Sequence, residues 1–275
     1  MRTLVHLSDV HFGQVDYTVV KKLTSAIDEI KPDLTVVSGD LTQRARSRQF
    51  IEARRFLDSL PKPQIVVPGN HDVPLYNIFA RFFSPLKKYK KYITEDLRPF
   101  YADEEIAVLG VNTARSLTIK GGRINEEQVD HIRQKLCDLK DEILKIVVTH
   151  HPFDLPEGSD EDDIVGRAKM VMERIDDCGA DLFLAGHIHV SHVGNTAERY
   201  KFGKGRSALV VQAGTATSTR GRGQANSFNV IEFEHPRLKV KRMEYRKAET
   251  GFALAETQEF LQTEKGWSSL SEPPA

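Results

Sequence analysis

Apolar residues recur along this chain with two alternating periods. Short runs of β-branched and aliphatic residues at 3–8, 32–38, 65–67, 106–111, 146–149 and 180–185 have strand length. They lack polar alternation, as do parallel strands covered on both faces. Between the first runs, Val19, Val20, Leu23, Ile27 and Ile30 keep helical spacing over 17–30, and Phe50, Ala53, Phe56, Leu57 and Leu60 keep it over 47–60. Further helices are predicted over 125–143, capped by Asn125 with Glu126, Glu127 and Gln128 in the first turn, and over 164–178. Strand, helix and strand in succession predict parallel strands whose carboxyl ends share one edge of the sheet. Beyond residue 189 the character changes and the strands follow without intervening helices. Strands at 208–213, 227–233 and 238–245 then suggest antiparallel pairing in a second sheet. The expected organisation is one α/β domain over 1–247, followed by an extension over 248–275 that frays after Gly266.

Residues 76–101 break this rhythm, interleaving Phe79, Phe82, Phe83, Leu86, Tyr89 and Tyr92 with Arg81, Lys87, Lys88, Lys90 and Lys91. The pattern reads as an amphipathic helix with solvated lysines, placed to form a wall or lid over whatever the preceding loop carries.

The chain's 275 residues, 40% of them hydrophobic, suffice for a large core. Its 39 basic residues balance 39 acidic ones, so no global field favours a nucleic-acid or membrane-surface partner. No leader-like start or bilayer-length apolar run is present, and Cys137 and Cys178 lack CxxC spacing. These cysteines suit a reducing compartment better than a disulfide framework, so the expected location is cytoplasmic. The acidic run 157–163 reads as a solvated loop without chemistry, and 217–223 as an irregular connection.

Chemistry-bearing side chains gather at the predicted strand ends. Asp9 and His11 follow the first strand, Gly39-Asp40 the second, and Gly69-Asn70-His71-Asp72 the third. His150 follows the strand at 146–149, and Gly186-His187-Ile188-His189 the one at 180–185. In extended backbone residues i and i+2 face one way, so Asp9 with His11, and His187 with His189, are expected to converge. The third loop offers an amide, an imidazole and a carboxylate in succession, able to act as metal ligand, proton donor and orienting group. Thiolate ligands and a GxSxG elbow are absent, which disfavours a structural zinc or a serine nucleophile. A surplus of carboxylate, imidazole and amide donors over one coordination sphere points to two borderline ions sharing a carboxylate. Such a pair clamps the attacking and leaving oxygens of an in-line displacement at phosphorus.

The five ordered blocks Asp9-Val10-His11, Gly39-Asp40, Gly69-Asn70-His71-Asp72, His150 and Gly186-His187-Ile188-His189 resemble the calcineurin-like metallophosphoesterases. That resemblance implies a two-sheet β-sandwich flanked by helices. It implies Asp9, His11 and His189 on one metal, Asn70, His150 and His187 on the other, and Asp40 between them, with manganese, iron or zinc as the ions. His71 is similar to the family's proton donor, oriented by Asp72, while Asn70, His71 and His189 take the substrate-facing places. His151, beside His150, is not a ligand in the family pattern. The length, His-His-Pro at 150–152 and Asn-Ser-Phe-Asn at 226–229 most resemble bacterial class III cyclic-nucleotide and glycerophosphodiester phosphodiesterases. The expected substrate is a small phosphodiester, most of all a cyclic nucleotide, attacked by metal-bound hydroxide. A glycerophosphodiesterase, a monoesterase or nuclease, and a non-enzymatic metal-bound scaffold are the alternatives, and self-association is admitted.

Overall fold

A computed structural model describes residues 1–118, 120–200, 207–219 and 223–270. The first sheet starts with β1 (Arg2–Leu7), which is followed by α1 (Tyr17–Ile30), β2 (Leu34–Val37), α2 (Ser47–Asp58) and β3 (Gln64–Val66). β1, β2 and β3 are parallel neighbours, with Leu4 opposite Leu34 and Val36 opposite Ile65. Two short helices, α3 (Ile78–Phe83) and α4 (Lys87–Tyr92), lead into the second sheet. That sheet is built from β4 (Phe100–Ala102), β5 (Ile106–Gly110), α5 (Glu126–Leu136), β6 (Leu144–Val148), α6 (Ala168–Ile175) and β7 (Leu182–Ala185). It is completed by β8 (His192–Asn195), the single-turn α7 (Thr196–Arg199) and β9 (Leu209–Gln212), in the order β4-β5-β6-β7-β9-β8. The chain then returns to the first sheet through β10 (Ser227–Glu234), β11 (Arg237–Arg246), β12 (Gly251–Thr263) and β13 (Gly266–Ser269).

Side-chain alternation explains the layering. Leu4, Leu34, Val36, Ile65, Ile146, Leu184 and Val211 form the seam between the two sheets. The opposite face of the first sheet, through Val5, Leu7 and Val37, packs on Leu23 and Ile27 of α1 and Phe50 and Phe56 of α2. The opposite face of the second, through Leu109, Val147 and Phe183, packs on Ile132 of α5 and Val171 of α6. The result is a helix–sheet–sheet–helix sandwich.

The structure differs from the sequence expectations at several places. The strand predicted at 208–213 pairs antiparallel, but with β8, and on its other edge parallel with β7, so it does not join the later strands. β10 and β11 instead run antiparallel beside β1. The extension 248–275 supplies β12 and β13, anchored by Phe260 and by the sole tryptophan, Trp267, in the inter-sheet core. This burial orders Gly266–Ser269, which had been expected to fray; residues 271–275 lie outside the described residues. Cys137 and Cys178, expected as free thiols, form a disulfide between the ends of α5 and α6. Their proximity arises from helix packing that sequence spacing does not reveal, and a reducing compartment no longer follows from them. Among the described residues no helix is long and apolar enough to cross a membrane.

The amphipathic helix expected over 76–101 is instead two helices, since Ser84 ends α3 and Pro85 follows it. Tyr89 and Leu86 are buried against the first sheet's helices, whereas Tyr76, Phe79 and Phe83 are exposed. Arg81 is buried and fastens α3 by donating to the carbonyls of Pro74, Ser116 and Thr118.

Candidate metal centre

The loops leaving β1, β2, β3, β6 and β7 converge, and local backbone geometry aims their side chains. Asp9, His11, Asp40, His187 and His189 all have positive φ, between 52° and 75°. Non-glycine residues take this left-handed conformation at a cost of order 1 kcal/mol or more each, and it collects at functional sites. Asp9/His11 and His187/His189 therefore converge through paired left-handed turns, not through the extended alternation expected from their spacing. Gly39 has φ +99°, and a Cβ there would strike His150 Nδ1 at 2.7 Å. A Cβ on Gly69 would lie 2.1 Å from Asp40 Oδ1. Only glycine lets the three loops approach this closely.

The donors form two adjoining groups. Asp9 Oδ1 lies 3.4 Å from both His11 Nε2 and His189 Nε2. Asp40 Oδ2 lies 3.4 Å from His150 Nε2 and 3.8 Å from His11 Nε2, so one oxygen faces both groups. On the far side Asn70 Oδ1 is 3.0 Å from His150 Nε2, and the His187 ring lies 5.2 Å from that of His150. Donors sharing one ion at roughly 2.1 Å stand about 3.0–3.4 Å apart, from right-angled to tetrahedral. Most of these separations fall in that range. Asp9 Oδ1 and His11 Nε2, which face each other, are buried without a hydrogen-bond partner, which suits donor atoms of a metal site. The residues present thus fit a pair of cations.

Outer partners orient the imidazoles, as they do around metals. His150 Nδ1 donates to the Ser38 carbonyl at 2.8 Å, turning Nε2 toward Asp40. His189 Nδ1 meets Thr215 Oγ1 at 2.7 Å, turning its Nε2 toward Asp9. His151 is different: Nε2 donates to the Lys120 carbonyl and Nδ1 meets Thr113 Oγ1, both at 2.7 Å. Both its nitrogens are engaged, and burial beside His187 and His150 pushes its pKa well down.

The electrostatics are those of a cation trap. Burial alone would raise the Asp9 carboxyl, but His189, His11 and His150 hold it well below the usual range. Asp40 is likewise held low against its burial, chiefly by His150. Burial lowers His150, yet Asp40 and Asp9 overcome this and push it up to about 9. A proton on His150 therefore does part of the work a cation would do, and a bound ion competes with it.

His71 stands edge-on to His11, ring centroids 4.9 Å apart. Its Nδ1 donates to the Gln43 carbonyl at 2.9 Å. Asp72 does not orient it, contrary to the sequence expectation. The Asp72 carboxylate turns away, accepting from the amides of Leu41, Thr42 and Gly69 and from the Thr42 hydroxyl. It ties the β2 and β3 loops together, and burial next to Asp40 pushes its pKa up to about 6. Gln43, Ser38 and Thr215 escape sequence reading because a carbonyl or hydroxyl partner leaves no spacing signature. Asp163 escapes it too, although its Oδ1 lies 3.3 Å from His187 Nε2. Within 217–223, Arg220, Gly221 and Arg222 lie outside the described residues.

The family model of the calcineurin-like phosphoesterases matches residues 2–191, the span that carries every loop of this centre. The chain belongs to the calcineurin-like phosphoesterase family. It is similar to a glycerophosphodiester phosphodiesterase, GpdQ, of Enterobacter lignolyticus, 27% identical over 165 residues, which are 55% of this chain and 58% of that protein. It is also similar to a probable cyclic nucleotide phosphodiesterase of Synechococcus, 28% identical over 123 residues, or 44% of this chain and 43% of the relative. The chain thus spans about half the length of these relatives. Among solved structures, yellow lupin purple acid phosphatase PPD1 superposes with a TM-score of 0.68, covering 94% of this chain and 53% of the plant protein. At 13% identity that likeness is one of fold.

Proposed function

We propose that this protein is a metal-dependent phosphodiesterase whose centre holds two ions of manganese, iron or zinc. Asp9, His11 and His189 would hold one ion, Asn70, His150 and His187 the other, with Asp40 available to both. The observation that carries this reading is Asp40 Oδ2 facing both donor groups. Two such ions supply Lewis-acid stabilisation of phosphoryl charge and acidify water. The chain's own groups do the rest. Asn70 and His189 face the substrate phosphate from opposite donor groups, and His71 stands beside the leaving oxygen. The Gln43 carbonyl accepts from His71 Nδ1, which fixes Nδ1 as a donor and leaves Nε2 as the atom that passes a proton. Asp72 keeps the loop carrying His71 in place.

A phosphodiester substrate is favoured by the two relatives, one named a glycerophosphodiester phosphodiesterase and the other a probable cyclic nucleotide phosphodiesterase. A cyclic nucleotide is the first choice and a glycerophosphodiester the second. Turnover of a panel of cyclic nucleotides and glycerophosphodiesters, set against 5′-nucleotides and other monoesters, tests it. Faster hydrolysis of a monoester than of every diester would overturn the diester assignment, and degradation of long DNA would favour a nuclease. Absence of any phosphoester hydrolysis by fully metallated protein would favour a non-enzymatic scaffold.

A further inference from the structure

α3 is built inside out. Its charged residue, Arg81, is buried, whereas Ile78, Phe79, Phe82 and Phe83 face solvent. Tyr76 just before the helix, Phe79, Phe83 and Leu117 are each 75–83% exposed. Apolar side chains of this size, gathered in one place and left in water, mark a surface that a partner covers.

These side chains belong to one patch. The Phe79 and Phe83 rings stack, with centroids 6.4 Å apart. Arg81 donates to the carbonyls of Ser116 and Thr118, which fixes the loop bearing Leu117 against α3. The patch borders a cavity of about 530 Å³ lined by Phe83 and Leu86 together with Lys87, Lys90 and Arg115. Phe83 thus joins the apolar surface to a cationic one.

Local charge selects the partner. The chain's charges balance overall, yet residues 76–93 hold five arginines and lysines and residues 112–123 three more, and neither stretch has an aspartate or glutamate. Glu95 and Asp96 come only after α4 has ended, and Lys87, Lys90, Lys91 and Lys120 are exposed. A second copy of the chain, seated symmetrically on this patch, would bring its like charges face to face. Nucleic acid would answer the charge, but Ile78 and Leu117 offer no ring on which a base could stack. Aromatic and aliphatic side chains beside lysines match the boundary between headgroups and acyl chains of an anionic bilayer. We propose that α3 and the loop 116–118 dock on an anionic membrane surface, with Phe79 and Phe83 entering the acyl boundary and Lys87, Lys90 and Lys91 meeting the anionic headgroups. This docking is independent of which phosphoester the metal centre cleaves.

The test is flotation of the full chain with vesicles of phosphatidylcholine, alone or mixed equally with phosphatidylglycerol. The expected result is capture by the mixed vesicles, much less by phosphatidylcholine alone, and release at high salt. Phe79→Ser with Phe83→Ser, and separately Lys87→Gln with Lys90→Gln and Lys91→Gln, should each lower the partition coefficient about tenfold or more. Leu254→Ser, at an exposed apolar position on β12, should bind as wild type does. The substituted side chains are exposed, so melting temperatures should stay at the wild-type value and separate loss of binding from loss of fold. No capture of the wild type, or capture unchanged in both variant sets, would overturn the proposal. So would a wild-type dimer that Phe79→Ser with Phe83→Ser converts to a monomer, which would put a second copy on the patch. Binding of single-stranded RNA in preference to the mixed vesicles would overturn it in favour of a nucleic-acid surface.

Discussion

Asp40 accepts the backbone N–H of His71 through Oδ1 at 2.8 Å, while its Oδ2 faces His150 and His11. One carboxylate thus couples the position of the proposed acid to both donor groups. Asp40→Ala is expected to reduce occupancy of both ions, since each loses an anionic ligand, whereas Asn70→Ala empties mainly one. Metal content of the purified variants decides this. Two ions per chain with unchanged affinity in the Asp40 variant would refute the shared role.

His71 is expected to matter in proportion to how poor the leaving group is. A ribose or glycerol alkoxide needs a proton as its P–O bond breaks, while nitrophenolate departs as the anion. His71→Ala should therefore slow natural diesters by roughly 10²–10⁴-fold and nitrophenyl esters much less, at matched metal occupancy. Equal loss of kcat for both classes would replace proton donation with charge stabilisation by His71. Gln43 meets His71 through its backbone carbonyl, so a side-chain substitution there that keeps the backbone in place should leave this contrast intact.

The sandwich and the five converging loops were legible in the sequence because each rests on local physics. Buried parallel strands leave continuous apolar runs such as Ile65–Val67, and loops at their ends keep Gly, Asp and His in fixed order. What escaped depends on long-range placement. β9 is a short apolar run whose parallel pairing with β7 is decided by its neighbours. Trp267 looked like part of a tail because little around it is apolar, yet its burial fixes β13. Asp163 sits in a run of acids, and nothing in that run distinguishes the one carboxylate that turns inward. For His71 the motif gave the residue but not its partner, since a carboxylate next in sequence is a more visible candidate than the Gln43 carbonyl.

Arg81 is the fastening of the α3 segment that follows the His71 loop. Its guanidinium donates to carbonyls of Pro74, Ser116 and Thr118, a spread that suits a planar fork. Arg81→Ala should cost about 2–4 kcal/mol, because hydrogen bonds from a charged donor are lost and buried acceptors are left unmet. Arg81→Lys should recover only part, since an ammonium cannot span all three oxygens. Urea unfolding gives the energy, and chymotryptic cleavage at the exposed Phe79 and Phe83 reports local release. Cleavage and unfolding as in wild type would show that α3 is held by something else.

His6 makes acid stability sensitive to a residue outside the proposed ligand set. It is fully buried in β1, with Nε2 2.9 Å from Ser38 Oγ and Nδ1 without a hydrogen-bond partner. Burial lowers its pKa to about 3, against a smaller opposing pull from Asp9. The folded protein therefore keeps His6 neutral where the unfolded chain, with the ordinary value near 6.5, takes up a proton. Stability from this group is complete above about pH 6.5 and is lost as pH falls toward 3, by up to about 1.4 kcal/mol per unit. His6→Gln removes the titration while keeping a polar group within reach of Ser38. In chelated protein, where the ligand histidines titrate in both variants, the wild-type stability relative to His6→Gln should decline by about 2–3 kcal/mol between pH 7 and 4.5. Denaturant unfolding at a series of pH values measures that difference. A difference independent of pH would mean that His6 takes its proton in the folded state as readily as in the unfolded chain.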